Sequence, residues 1–240
     1  MSIAPPAQTL ASKVLPLEPG DEMTVREFRR RDAVTLDALK PELVEGFVHL
    51  AAATRFQHGN CQNIISTWLG NYCMETDGTD SASDATDRLD DRNEPRPDVA
   101  AFVTPNSGGR CRIDDEGYLA GPPELIAEIA SSTETLDRGM KRRAYGQNGV
   151  DEYLVWRTRI GRIECYRRTG SELILLPPPD DGVFRSLSLP GLWLNLAAAV
   201  DRDRRSVHQT LLEGLATDKH TAFVSRLAEA KHRHESSDAG

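Results

Sequence analysis

The chain of 240 residues has only four cysteines, Cys61, Cys73, Cys111 and Cys165, and no Cys-x-x-Cys pair. Cys61 and Cys73 fall on one predicted helix, where their spacing amounts to about 18 Å, beyond disulfide reach. A zinc site and a disulfide framework are therefore excluded as organising principles, and a reducing cytoplasm is the expected location. Long apolar runs are also missing. Nothing approaches the roughly 20 residues that a bilayer crossing needs, so no membrane partner is expected. The opening Met1-Ser2-Ile3-Ala4-Pro5-Pro6 has no basic patch followed by an apolar segment, and it does not read as a secretory signal. Positive charge is scarce. With 29 Lys and Arg against 37 Asp and Glu, the net charge is −8. That balance argues against a protein that coats nucleic acid through phosphate contacts. It leaves room for a local basic groove beside an acidic centre. The 39% hydrophobic and 28% charged residues are those of a globular chain long enough for one sizeable core.

Along the chain, residues 1–22 are rich in Pro, Ala and short polar residues and read as a loose arm. Thr24-Val25-Arg26-Glu27 has capping-box spacing and predicts a short helix. Glu42 to Ala52 predicts a strand pair with a tight turn at Glu45-Gly46. Ile64, Ile65, Trp68, Leu69 and Tyr72 give helical periodicity from Phe56 to Glu75. The acidic stretch Asp77–Asp91 fails as an EF-hand, because Ala85 stands where the loop needs glycine and no glutamate closes it. It reads as a solvated loop and edge strand. Buried strands are predicted at Asp98–Val103 and Leu125–Ala130, with turns of an inserted hairpin between them. A helix follows over Glu134–Asn148, with Leu136, Met140 and Ala144 on one stripe. Three antiparallel strands are predicted over 152–157, 162–168 and 172–176, and a short one over 183–189. Helices are expected over 192–200, 204–215 and 221–230, then a frayed tail. The domain expectation is an arm over 1–22, a main domain over 23–200, a helical extension over 201–234 and a tail over 235–240.

Chemistry is concentrated at Asp98, which follows Pro97, and at Glu128, which interrupts the apolar run Leu125-Ile126-Ala127-Glu128-Ile129-Ala130. Carboxylates at neighbouring strand ends are what a magnesium site for phosphodiester cleavage needs. The bland alternative is a turn cap at Asp98 and an arginine partner for Glu128. A buried charge requires compensation, which favours a site. On the next helix Asp137, Lys141 and Tyr145 recur every four residues. A lysine aimed at a metal site can position water and stabilise developing charge; otherwise Asp137 and Lys141 form a surface pair. Arg138, Arg142 and Arg143 offer a phosphate-facing patch or a solvated face.

The segments Asn93-Glu-Pro-Arg-Pro-Asp98, Pro123-Glu-Leu-Ile-Ala-Glu128, Ser131-Ser-Thr133 with Asp137 and Lys141, Gly149-Val-Asp-Glu-Tyr-Leu-Val155 and Leu189-Pro-Gly-Leu-Trp-Leu194 occur in order. Together they resemble the Uma-two family, a large bacterial group with the PD-(D/E)XK restriction-endonuclease-like fold, from about Met23 to Val200. The resemblance implies an α/β (α+β-like) architecture: a mixed central sheet flanked by helices, here with a C-terminal helical extension. It implies DNA as partner and Mg2+ as cofactor, with Mn2+ able to substitute. Asp98 and Glu128 would be the metal ligands, and these two with Lys141 the catalytic residues. The usual lysine lies two residues after the glutamate, where this chain has Ala130, so Lys141 on the following helix takes that place. Glu45 and His58 match further polar positions of the family and are accessory candidates, as is Tyr145. Glu152 is read as orienting its strand, and Trp156, where many relatives carry aspartate, as packing. Two related sites suit cleavage of both DNA strands, so a homodimer is expected. Competing readings are a catalytically inert or regulatory binding module of the same fold, and a hydrolase acting on RNA or smaller phosphodiesters.

Overall fold

The computed structural model describes residues 14–36, 39–51 and 55–238. In chain order, helix α1 (Val25–Asp32) is followed by the hairpin β1 (Pro41–Val44) and β2 (Phe47–Leu50), the long helix α2 (Phe56–Met74), and strands β3 (Thr79–Ser83), β4 (Asp87–Arg88) and β5 (Val99–Val103). Then come β6 (Arg112–Ile113), β7 (Leu119–Ala120) and β8 (Leu125–Ala130). A helical segment follows, built from α3 (Glu134–Leu136), a π-helical turn (Asp137–Lys141) and α4 (Arg142–Asn148). The remainder is β9 (Glu152–Arg157), β10 (Arg162–Thr169), β11 (Glu172–Leu175), β12 (Val183–Arg185), β13 (Trp193–Asn195), α5 (Leu196–Val200), α6 (Arg204–Leu215) and α7 (Asp218–Asp238).

The central sheet has six strands in the order β11-β10-β9-β8-β5-β3. β8 and β9 are parallel and joined over the sheet face by the α3–α4 segment, while the other neighbours are antiparallel. Strand periodicity sorts the side chains to two faces. Val99, Ala101, Leu125, Ala127, Ile129, Leu154 and Trp156 pack with α2 in the larger core. Ala100, Phe102, Ile126, Ala130, Tyr153 and Val155 pack with Tyr145 of α4 and with Leu119 and Cys111 beside the small sheet β4-β7-β6. The polar strand β3 lies at one edge, as the acidic stretch predicts.

Several boundaries differ from the sequence expectations. Of the expected arm, residues 1–13 lie outside the described residues. Residues 14–22 pack: Leu17 is buried beside Val25, Phe28, Leu43 and Val48, and Gly20 N–H donates to Val48 O. The expected helix over 192–200 begins as a strand, because Leu194 pairs with Phe184 and both face the core. The expected tail is helical through Asp238. The helices beyond Val200 pack on the main domain. Val207, Leu211, Phe223 and Leu227 belong to the same apolar cluster as Trp68 and Ile129, and Trp68 Nε1–H donates to Trp193 O at 2.8 Å.

Leu211 is fully buried in that cluster. Leu211→Ala is expected to cost about 3 kcal/mol and to lower the Tm of the single unfolding transition by roughly 6–12 °C. A main transition that stays in place in differential scanning calorimetry would mean that α6 unfolds separately.

Candidate active site

Register places the two acids together. In the antiparallel pair β5–β8, Val99 stands opposite Ala127, so Asp98 comes beside Glu128. Both lie on the face of Ala100, Ile126 and Ala130. Ile129 N–H donates to Asp98 Oδ2 at 2.6 Å, and Asp98 N–H faces Glu128 Oε2 at 3.3 Å. Lys141 meets them from the crossover helix. Its Nζ donates to Glu128 Oε1 at 3.1 Å and lies 2.8 Å from Glu42 Oε2 and 4.0 Å from Asp137 Oδ1. Tyr145 O–H donates to Glu128 Oε1 at 2.9 Å, and Thr133 O–H donates to Asp137 Oδ2 at 2.6 Å. Arg96 N–H donates to Glu42 Oε2 at 3.1 Å.

The expected apolar stripe of this helix is corrected here. Of Leu136, Met140 and Ala144 only Ala144 is buried, whereas Asp137, Lys141 and Tyr145 are all buried. The reason is electrostatic. Glu128 is buried within the sheet and needs a cation and donors, so the helix turns its polar stripe inward. A π-helical turn sits where that stripe crosses the sheet, as such turns often do at functional sites. The surface-pair alternative for Asp137 and Lys141 does not hold.

Burial governs the titration of the cluster. It raises the Glu128 carboxyl well above its ordinary range, with Lys141 opposing and Asp98, Asp137 and Glu42 adding to the rise. Burial likewise raises Asp137 to about 6. Burial alone would lower Lys141, but Glu128, Glu42 and Asp137 together outweigh it and keep the ammonium charged. Asp98 is the more open acid, with 16% of its side chain exposed against 4% for Glu128. His58 Nε2 lies 3.1 Å from Asp98 Oδ1, and that contact raises the imidazole pKa despite partial burial. Gln62 Nε2 donates to Asp98 O at 3.1 Å.

Glu45 is not in this cluster. It occupies a left-handed backbone position at the hairpin turn (φ 52°), and its carboxylate takes both Nε and Nη2 of Arg143. The three arginines expected to face phosphate are committed within the chain. Arg138 pairs with Glu164, Arg142 donates to the carbonyls of Arg138 and Leu173, and Arg143 holds Glu45. Glu152 is fully buried and accepts from Arg167, Ser186, Ser188 and Leu187 N–H, so it ties β9 to the segment after β12.

Among the described residues no group of three or more His, Cys, Asp or Glu side chains is arranged to hold a metal ion. The donor chemistry of the acid pair still suits a hard divalent cation. A carboxylate has about four acceptor positions. Asp98 uses them on Ile129 N–H and His58, and Glu128 on Lys141, Tyr145 and Asp98 N–H. Both retain capacity, and Glu42, Glu128 and Asp137 crowd one lysine. Magnesium takes one or two carboxylates and keeps its remaining waters.

The family model Uma2, described as "Putative restriction endonuclease", matches residues 25–197. The chain belongs to the Uma2 family. A crystal structure of a "putative nuclease belonging to DUF820" from Anabaena variabilis ATCC 29413 aligns with a TM-score of 0.56 at 14% identity. The alignment covers 74% of this chain and 99% of that one. At that identity the likeness is one of fold, and it supports the mixed sheet flanked by helices. No curated protein matches the chain. The Uma2 match ends inside α5, so α6 and α7 lie beyond it while sharing its core.

Sequence reasoning overlooks one acid of this cluster, Glu42. The available signal is the one that singles out Glu128: a carboxylate inside a strand buried at every position, Pro41–Val44. The neighbouring Glu45 at the turn draws attention away from it.

A carboxyl whose folded pKa is raised stabilises the fold below its ordinary pKa and loses that contribution as pH rises through the folded value. For Asp137 the window runs from 3.8 to about 6. Unfolding free energy from urea titrations is expected to fall between those pH values, and Asp137→Asn should remove part of the fall. Identical slopes in the two proteins would show that Asp137 does not titrate in that window.

Proposed function

We propose that this chain is a magnesium-dependent endonuclease that hydrolyses DNA phosphodiester bonds through a PD-(D/E)XK-type site. The observation that carries this reading is the adjacency of Asp98 and Glu128 across β5 and β8, with the Lys141 ammonium bonded to Glu128. Asp98 and Glu128 would hold Mg2+, or Mn2+ in its place. When bound, the metal supplies Lewis-acid polarisation of the phosphate and a water of lowered pKa. Lys141 holds its proton on Nζ, so it presents a fixed positive charge to an anionic phosphorane-like centre and to Glu128. Tyr145 fixes the rotamer of Glu128 from the dry side. His58 holds a proton between itself and Asp98 at the open side. The unbridged state of the four cysteines agrees with the cytoplasmic location we assign to it. We also assign it a homodimeric state, which presents two sites to the two strands of a duplex.

A second reading, an inert or regulatory module, is favoured by one observation. The Lys141 ammonium is already satisfied by Glu42 and Glu128, without any phosphate. Calorimetric titration with Mg2+ in the presence of DNA separates the two: no heat at all, with wild-type protein, favours the module.

Purified protein with supercoiled plasmid and Mg2+ is expected to produce nicked and linear DNA. Asp98→Ala and Glu128→Ala should each reduce the rate by about 100-fold or more, the scale of losing a key electrostatic group. Equal nicking by wild type and Asp98→Ala would trace the activity to a contaminant. Light scattering at micromolar concentration should give twice the 26.5 kDa chain mass; a monomer mass removes the dimer from the proposal.

A further inference from the structure

The ends of β8 and β9 and the start of β10 meet at the end of the sheet that carries the acid pair. Register sets them in a row: Ala130, two residues past Glu128, stands beside Arg157, and Arg157 beside Arg162. Side chains alternate along a strand. Val155 and Tyr166 share the face of Ala130, on which Asp98 and Glu128 lie, so Arg157 and Arg162 fall on that face as well. Neighbouring strands are about 4.8 Å apart, which puts the Arg162 backbone about 10 Å from Ala130 and roughly 12 Å from Glu128. The turn between β9 and β10 is held in place. Thr158 N–H and O–H both donate to Ala130 O at 3.0 Å, and Ile160 N–H donates to Arg157 O at 3.2 Å. The arginines of this corner are unequal. Arg138 and Arg157 share Glu134 and Glu164. Arg159 and Arg162 are exposed, with neither an ion pair nor a side-chain hydrogen bond among the described residues. Arg162 also stands directly opposite Arg157, a like-charge pairing that costs stability in an antiparallel ladder. Four arginines here meet two glutamates, on a chain whose net charge is −8.

We infer that Arg159 and Arg162 form a docking edge for the phosphate backbone of DNA, which holds the strand a few nucleotides from the acid pair. This rests on the phosphodiester reading above and adds where the strand lies relative to its site. Each DNA strand carries one phosphate per about 3.4 Å of axis, so a strand with its scissile phosphate at Asp98 and Glu128 reaches Arg162 within about four nucleotides. The guanidinium fork matches the paired oxygens of a phosphate. Arg138, Arg142 and Arg143 would each have to break an internal bond to make that contact. Arg159 and Arg162 have none to break, and a phosphate beside Arg162 would offset its repulsion from Arg157.

The test uses the full chain and a short fluorescein-labelled DNA duplex in EDTA, so that no strand is cut and no metal contributes to binding. Anisotropy titrations over a salt series give the affinity and its slope against salt on logarithmic axes. Arg159→Gln combined with Arg162→Gln should weaken binding by about tenfold or more and flatten the slope by about 1.8, the value for two lost phosphate contacts. Arg159→Lys with Arg162→Lys should keep the wild-type slope, because an ammonium also neutralises a phosphate. The Tm should not move in either protein, since both side chains are exposed and unpaired. Arg26→Gln with Arg205→Gln removes the same charge from two other exposed arginines and should leave the slope as it is. A wild-type slope in the Arg159→Gln, Arg162→Gln protein overturns the inference, as does equal flattening in the Arg26, Arg205 control or no binding by the wild type. The two readings fail separately. Magnesium-dependent nicking by a protein whose salt slope ignores Arg159 and Arg162 removes the docking edge alone. A slope that depends on them in a protein that never nicks removes the nuclease alone.

Discussion

Lys141 carries a positive charge into the interior with 5% of its side chain exposed, and an isolated ammonium there would be driven to deprotonate or to prevent folding. Three acids from three parts of the chain meet it: Glu42 from the β1–β2 hairpin, Glu128 from the centre of the sheet, and Asp137 from its own helix. The hairpin uses this contact as its buried link to the crossover helix. Its apolar residues form a separate small cluster with Leu17, Val25 and Phe28 rather than joining the sheet. Backbone bonds between Leu43 and Glu94, the exposed Arg143–Glu45 pair and the buried Glu42–Lys141 ion pair bind it to the rest. A single buried cation thus fixes both the crossover helix over the sheet and the hairpin over the helix.

The same burial sets the electrostatic character of the cluster. Behind Glu128 lies a wall of Tyr145, Tyr153 and Tyr166, with ring centroids 5.3 and 5.9 Å apart in sequence. The wall excludes water on that side, so charge interactions there are stronger than at the surface. Its hydroxyls are spent inward: Tyr145 on Glu128, Tyr153 on Asp137 O and Tyr166 on Glu164. Exposure is greater on the Asp98 and His58 side, where 16% and 21% of the side chains are open. The two carboxylates are therefore unequal by construction, one locked by donors in a dry pocket and the other open to an incoming ligand.

How far this could be read from the sequence depends on the range of the forces involved. Strand character is local, so β5 and β8, with an acid just before one and inside the other, are legible from their apolar runs. Their adjacency follows only when register is known, since it places Asp98 opposite Glu128. The direction faced by the α3–α4 segment is not local. Its apolar positions favour one stripe, and the unpaired charge of Glu128 on another strand selects the other. Glu42 escapes for the same reason, because its partner is about a hundred residues away. The fate of the arginines is also long-range. Arg138 looks like a free cation until Glu164 is brought beside it by β10, and Arg143 until the hairpin turn delivers Glu45. The helices after Val200 have readable apolar faces, but their target surface, the α2 side of the sheet, exists only in the folded chain.

The acidic net charge and the arrangement of arginines are one phenomenon. Glu164 alone accepts from Arg138, Arg157 and Tyr166, and Asp151 pairs with Arg110 and Arg168. Most of the chain's cations are spent on structure, so its outer field stays negative and long-range attraction of a polyanion is weak. Under the proposed function, any affinity for one arises at short range, where the field is local: from the metal that Asp98 and Glu128 would hold and from Lys141 behind it. A surface of this kind disfavours indiscriminate coating of nucleic acid. Under the proposed function it favours contacts that would form only once a phosphate has entered beside His58, which would place discrimination at the site rather than on the approach to it.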